Sequence, residues 1–327
     1  MTDILLQQKI FQIKSEQEFN DLCLRIFRYQ YLNNSVYGNF VDMLGSQTER
    51  ISHYSQIPFL PIEFFKTHKI TSSNRNVYDK IFTSTGTTGS HLSKHYIADI
   101  QVYENSFLNS FELFYGTPGQ YILIALLPSY LERKNSSLIY MADLLIKATR
   151  HPKSGFYLKH NKEMINVLEN KNRKVILLGV TFALLDLAEK HQLNNAEMII
   201  METGGMKGRR EELIREEIHR ILCSAFHVSS IHSEYGMTEL LSQAYSFGDG
   251  IFHSPPWMKV LVRDPNDPLS LIGDGKTGGL NVIDLANIHS CSFIATQDLG
   301  KTNKDGSFEV LGRFDLSDIR GCNLMVE

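Results

Sequence analysis

The chain has 327 residues, is 43% hydrophobic and 21% charged, and carries a formal net charge of −3. That composition is ordinary for a globular protein. The slight negative charge gives no general attraction to nucleic acid or anionic lipid, and no apolar run approaches the roughly 20 residues that cross a bilayer. Residues 1–8 lack the basic, apolar and small-residue succession of a secretory signal. Four scattered cysteines, Cys23, Cys223, Cys291 and Cys322, form no CxxC pair and no disulfide framework, so a reducing cytoplasm is the expected home.

Ser15 and Glu18 read as a capping box ahead of Phe19, Leu22, Ile26 and Phe27, which recur at helical spacing. The first sixty residues are therefore expected to be helical. Pro58 and Pro61 stiffen the connector that follows. Lys80-Ile81-Phe82 is strand-like and leads into a loop rich in hydroxyls and glycine. From residue 121 onward, short apolar runs alternate with amphipathic helices. Strands are predicted at 121–127, 174–179 and 198–201, and helices at 136–148, 181–191 and 210–223. Continuous rather than alternating apolar strands predict an α/β fold with a mostly parallel sheet covered on both faces. After Pro255-Pro256 the texture changes. Short strands predicted at 259–263, 279–283 and 308–311, separated by Asp/Asn/Gly/Pro turns, describe a smaller β-rich subdomain.

Three loops carry chemistry. Thr83, Ser84, Thr85, Gly86, Thr87, Thr88, Gly89 and Ser90 offer six hydroxyls around two glycines directly after a strand. Glycine lets backbone N–H groups converge on an anion, so the loop suits the phosphates of a nucleotide, although a polar β-turn has the same composition. No lysine directly follows the second glycine, so the loop is not a Walker motif. Thr203-Gly204-Gly205 follows an apolar run, at the strand end where open α/β sheets bind ligands. Tyr235-Gly236-Met237-Thr238-Glu239 is the most specific of the three. Its ring can stack on a purine, its threonine can bond an α-phosphate, and its glutamate is a hard ligand for Mg²⁺. The same five residues could also form a strand-to-helix turn with a capping threonine. Near the end of the sequence, Cys322 follows Arg320-Gly321; a thiol there can carry a covalent acyl cargo, or it can be a small tail residue. His227, His232 and His253 match no zinc spacing.

The order of these loops, with Thr296-Gln297-Asp298 and Gly312-Arg313, resembles the adenylate-forming superfamily of acyl- and aryl-CoA ligases. Segments 57–65, 179–187 and 233–246, together with Pro255-Pro256-Trp257-Met258-Lys259, are similar to the acyl-protein synthetase family within it. The resemblance implies one domain over 1–327, with a helical region at 1–60, an α/β core at 61–256, and a β-rich subdomain and tail at 257–327, without the C-terminal lid of the larger ligases. It implies that residues 83–90 hold the β- and γ-phosphates of ATP, and that Gly204 and Gly205 border the adenine and acyl pocket. Tyr235 and Gly236 belong to the adenine contact, Thr238 to the α-phosphate, and Glu239 to Mg²⁺. Asp298 would accept the ribose hydroxyls, Arg313 would sit at the hinge, and Cys322 would take the acyl group. Where the superfamily often has Thr-Gly-Asp, this chain has Gln297 in place of the glycine. No lid lysine follows Arg313, and Lys94, Lys207 and Lys301 are the nearest cations in sequence.

The implied function is ATP-dependent, AMP-forming activation of a carboxylic acid, with fatty acids favoured, and transfer of the acyl group to a protein thiol. A reductase or acyl-transferase partner is possible in such a scheme. Two alternatives stay open: CoA or a carrier thiol as acceptor, and a nucleotide- or acyl-binding module without turnover. The metal-ligand type at Glu239 argues against the binding module.

Overall fold

A computed structural model describes residues 3–72, 77–84, 92–128, 135–158, 162–170, 172–204 and 213–314. The described residues fall into two compact units. One draws on Met1–Lys80, His95–Asp99 and His253–Glu327; the other on Ile81–Lys94 and Ile100–Phe252.

In the second unit, five parallel strands lie in the order Gly155–Phe156, Tyr121–Leu126, Lys174–Val180, Ile199–Thr203 and His232–Tyr235, and Ala244–Ser246 adds an antiparallel edge to the last. Every residue of Tyr121–Leu126 is buried. Only a strand covered on both faces accepts such an unbroken run, and each fully buried Ile or Leu contributes about 1.5–3 kcal/mol. The predicted α/β class is therefore present, and its strands and helices fall within a few residues of their sequence-based positions. One helix boundary differs. The helix expected from residue 210 runs over Arg215–Phe226; residues 205–212 lie outside the described residues, and Leu213 and Ile214 are not helical. It ends at His227 in the left-handed region, whose Nδ1 lies 2.8 Å from the Leu193 carbonyl oxygen.

The helix Ile100–Tyr115 was not anticipated. Its inward stripe of Val102, Tyr103, Ser106, Phe107, Ser110 and Phe111 is buried. Two of those six positions are serines, which weaken the apolar period while letting the helix approach the chain beneath it. Ser106 Oγ lies 2.9 Å from Ser242 Oγ, and Ser110 Oγ donates to the Gln243 carbonyl at 3.2 Å.

The first unit is antiparallel. Gly278–Asp284 is flanked by Met258–Arg263 and Phe293–Thr302, and Phe308–Arg313 pairs with the outer side of Phe293–Thr302. The stiff proline connector turns out to be a short strand, Leu60–Pro61, parallel to Phe293–Thr302. The N-terminal region is helical as expected, over Asp3–Ile10, Glu16–Asn33 and Ser35–Met43, and then gives way to 3₁₀ turns. Its cap is half of the predicted box: Ser15 Oγ accepts from the Glu18 N–H, but Glu18 Oε2 accepts from the Lys14 N–H rather than that of Ser15.

Gln30 ties the N-terminal helices to this sheet. It is fully buried, its Nε2 donates to the carbonyls of Asn287 and Ile288 at 2.9 and 3.1 Å, and its Oε1 accepts from the Ser292 N–H at 2.9 Å. The rings of Phe27 and Tyr37, from the same helical region, pack against each other and against Phe293 of the sheet at 6.2–6.3 Å centroid spacing. Gln30→Leu keeps the volume but strips partners from buried backbone groups. It should cost on the order of 2–4 kcal/mol in a urea denaturation series, with the slope unchanged.

Candidate functional site

Within the second unit, the predicted loops sit at strand ends. Phe82 is fully buried, with its ring 5.4 Å from Tyr103 and 5.7 Å from Tyr140. It anchors the start of the hydroxyl-rich loop. Thr83 N–H donates to the Asn135 carbonyl, Ser84 N–H donates to the Ser93 carbonyl at 3.1 Å, and Ser84 Oγ accepts from the Ser93 N–H at 3.0 Å. The two ends of the loop are thereby pinned together. Thr85, Gly86, Thr87, Thr88, Gly89 and Ser90 lie outside the described residues.

The strand Ile199–Thr203 runs into Gly204, exposed and at φ +72°, a conformation that glycine adopts without strain. Gly205 and Lys207 lie outside the described residues. The neighbouring strand His232–Tyr235 is parallel and in register, with Glu202 opposite Ser233 and Thr203 opposite Glu234. Gly204 and the Tyr235–Glu239 segment therefore leave the sheet at the same, C-terminal edge, as the sequence predicts. Tyr235 is buried, with its ring 5.9 Å from that of Phe252. Residues 237–240 form a turn closed by Leu240 N–H donating to the Met237 carbonyl at 3.1 Å. Within it Glu239 is 6% exposed and Thr238 is half-buried.

The pleat sends two carboxylates to opposite faces. On one, Glu202 Oε1 lies 2.9 Å from His219 Nε2 and accepts from Ser233 Oγ at 3.0 Å, and Arg215 Nε lies 3.8 Å away. Burial works to raise the Glu202 carboxyl, but His219, Arg215 and Ser233 together outweigh it and hold the group below its ordinary range. On the other face Glu234 is buried, and its Oε2 accepts from Thr203 Oγ1 at 2.5 Å. Neither carboxylate stands out in the sequence, because their partners lie far along the chain. His232, half-buried and 3.1 Å from Tyr115 Oη, is pushed down to about 4 by burial and stays neutral near pH 7.

The first unit holds the remaining pair. Asp298 and Arg313 face each other on adjacent strands, with Arg313 Nε 3.4 Å from Asp298 Oδ1. The Arg313 side chain is 77% exposed, so the pair contributes little to stability. Thr296 Oγ1 accepts from the Asp298 N–H at 3.1 Å and donates to the Leu280 carbonyl at 2.8 Å. Gln297, the departure from Thr-Gly-Asp, donates its Nε2 to Glu63 Oε1 at 2.5 Å. Arg263, which sequence reasoning passed over, braces this strand through the Leu280 and Thr296 carbonyls and Asn281 Oδ1. Lys301 is engaged by Glu309 at 3.0 Å, and Lys94 is exposed.

Among the described residues, no cluster of three His, Cys, Asp or Glu side chains could hold a metal. A single buried carboxylate such as Glu239 instead matches Mg²⁺, which keeps most of its shell as phosphate oxygens and water. Cys23 and Cys291 are buried and Cys223 is half-buried. Burial pushes all three thiols up, Cys291 to about 12. Cys322 lies outside the described residues. Among the described residues, no helix is long and apolar enough to cross a membrane.

Residues 133–327, more than half of the chain, match the family described as "Acyl-protein synthetase, LuxE". The chain belongs to the acyl-protein synthetase family. It is accordingly an enzyme that activates a carboxylic acid with ATP as the acyl adenylate and passes the acyl group to a protein thiol. Two curated relatives are each named long-chain-fatty-acid–luciferin-component ligase. The Vibrio harveyi protein is 23% identical over 95% of this chain and 88% of its own length, and the Aliivibrio fischeri protein is 23% identical over 96% and 89%. Among solved structures, ATP-bound MatB from Rhodopseudomonas palustris matches with a TM-score of 0.55 at 20% identity, over 74% of this chain and 49% of its own. A 2-hydroxyisobutyryl-CoA ligase in complex with its acyl-AMP and CoA matches with a TM-score of 0.65 at 13% identity, over 94% and 70%. The chain thus spans about half the length of the MatB structure. At such identities these likenesses show the fold, that of the adenylate-forming ligases.

Glu202→Gln should destabilise the second unit measurably. It leaves His219, Arg215 and Ser233 facing an amide, an expected loss on the order of 2–3 kcal/mol. A carboxyl held low in the fold stabilises above its ordinary value of 4.5, and that contribution disappears as pH falls through the folded value. Thermal melts in acid should therefore converge for the parent and the variant, and stay apart near neutrality.

Proposed function

We propose that the acid is a long-chain fatty acid, that Mg²⁺ accompanies ATP, and that the acyl group is taken by Cys322. The observation that carries the nucleotide part is the turn at the end of the His232–Tyr235 strand, which sets a half-buried Thr238 beside a 6% exposed Glu239 at the ligand-binding edge of a parallel sheet. The names of the two curated relatives support the fatty acid.

In this reading Thr83, Ser84 and the hydroxyls and backbone of Thr85, Gly86, Thr87, Thr88, Gly89 and Ser90 bind the β- and γ-phosphates. Tyr235, Gly236, Gly204 and Gly205 bound the adenine and acyl pocket. Thr238 donates to the α-phosphate, Asp298 accepts the ribose hydroxyls, and Arg313 flanks the nucleotide. Glu239 would hold Mg²⁺, whose charge offsets that developing on the phosphates. The fatty carboxylate attacks the α-phosphorus and pyrophosphate leaves. A thiolate then attacks the acyl carbon, the acyl–phosphate bond breaks, and AMP leaves with the bonding electrons. The three described cysteines are poor candidates for that thiolate, because burial holds their protons on. A reductase or acyl-transferase would consume the resulting thioester.

Glu239→Gln should reduce fatty-acid-dependent exchange of pyrophosphate into ATP by about 10²–10³ while the protein stays folded, as loss of one charged contact to the phosphates commonly does. Parent-level exchange in the folded variant would remove Glu239 from the reaction.

Cys322→Ser should keep that exchange and lose the covalent label left by ATP, Mg²⁺ and a radiolabelled fatty acid, a label that hydroxylamine releases from the parent protein. A label that persists, or that maps to Cys23, Cys223 or Cys291, would assign the acceptor elsewhere.

A further inference from the structure

Beneath the Tyr235–Glu239 turn lies a buried row of polar groups that the reaction does not use directly. Thr203, Glu234 and Tyr245 stand side by side on three adjacent strands, Thr203 in register with Glu234 and Glu234 with Tyr245. Register neighbours share a face of the sheet. Glu234 folds forward along its strand toward Gly236, two residues on, which points to the same face. A Cβ added at Gly236 would collide with Glu234 Oε1 and would meet Gln243 Cγ at 3.4 Å. The carboxyl can swing aside only by giving up the bond through which Thr203 Oγ1 holds its other oxygen. Gly236 is thus the one residue that fits, and its backbone rests on the Glu234 carboxyl at the point where the turn leaves the sheet.

We propose that Glu234 is a positioning residue for adenylation: its buried carboxyl, fixed by Thr203, seats Gly236 and so sets where Thr238 and Glu239 stand. The proposal rests on the reading of Thr238 and Glu239 as phosphate and metal contacts. It also predicts a proton dependence. The groups facing Glu234 are the Thr203 hydroxyl from one neighbouring strand, the Tyr245 phenol from the other, and the Tyr103 and Tyr115 phenols from the helix Ile100–Tyr115. His232, two residues back on the same strand face and 3.1 Å from Tyr115 Oη, is held neutral by burial, and among the described residues no cation joins these groups. The Tyr245 hydroxyl is itself buried without a partner among the described residues, as is Gln243 Oε1. Burial pushes the Glu234 carboxyl up to about 7, against the lowering effect of the Thr203 bond. Below that value it is a neutral acid that packs against Gly236. Above it, a buried carboxylate with one hydroxyl donor must draw in water or rotate, and either response releases Gly236.

The test compares the parent protein, Glu234→Gln and Glu234→Ala in fatty-acid-dependent pyrophosphate exchange from about pH 6 to about pH 8. Gln keeps the shape and neutrality of the protonated acid at every pH. Because ATP and pyrophosphate titrate in the same range, the reading is the ratio of Gln to parent at each pH. With a carboxyl near 7, about nine-tenths neutral at pH 6 and about one-tenth at pH 8, that ratio should rise by up to about tenfold across the range. Glu234→Ala should lower kcat at all pH values, with the Gln variant rescuing it. A ratio that stays flat, or full kcat in a folded Glu234→Ala, overturns the proposal. Thermal melts supply an arm independent of activity. The folded carboxyl binds its proton more tightly than the unfolded chain, whose value is 4.5, so parent stability should fall as pH rises between 4.5 and about 7, and Glu234→Gln should lack that fall. Melts without this difference refute the neutral carboxyl. If the melts behave as stated but no protein exchanges pyrophosphate with any fatty acid, the adenylation reading is what fails.

Discussion

The geometry of the candidate site hangs on one piece of backbone pairing, the parallel register of Ile199–Thr203 with His232–Tyr235. Two consecutive acid–hydroxyl matches follow from it. Glu202 meets Ser233 on one face, and Thr203 meets Glu234 on the other. A slip of one residue would exchange the faces. Glu202 would then leave His219 and Arg215, and Glu234 would lose its bond to Thr203. The register fixes the electrostatics of both faces as well as the geometry of the strand ends.

The two carboxyls show how the opposite faces of one sheet shift two buried acids in opposite directions. Both are buried, and burial alone disfavours the charge of each. Glu202 has a histidine and an arginine delivered by the helix Arg215–Phe226, so the charged form wins. Glu234 faces phenols and one threonine, so the neutral form persists to about 7. The difference lies in what the covering helix brings to each face. The helix Ile100–Tyr115 supplies rings and serines, and its Ser106 and Ser110 bond to Ser242 and the Gln243 carbonyl just beyond the turn. The segment that carries Thr238 and Glu239 is therefore tied down on both sides of its exposed tip.

The sequence revealed what is local. Tyr235, Gly236, Thr238 and Glu239 lie within five residues, and the apolar runs of Tyr121–Leu126 and Lys174–Val180 are read directly because every inward position is apolar. What it concealed is carried by long-range pairing. The Phe293–Thr302 strand, which bears Asp298, alternates buried and half-buried positions, but its buried positions include Thr296, Asp298, Gly300 and Thr302, so it lacks an apolar signal. The helix Ile100–Tyr115 was obscured by Ser106 and Ser110 for the same reason. Glu202 and His219 are seventeen residues apart, and Arg263 braces carbonyls seventeen and thirty-three residues away. Nothing in local spacing announces such contacts.

Burial also decides which thiols are compatible with the reaction. An acyl adenylate is attacked by any accessible thiolate, so an enzyme that makes one must keep its structural cysteines silent. Cys23 and Cys291 are fully buried and Cys223 lies on a half-buried helix position, and desolvation raises the thiol of each. A raised thiol is protonated near neutral pH and is a weak nucleophile. The packing that stabilises the two units thus removes these three sulfurs from competition for the activated acid.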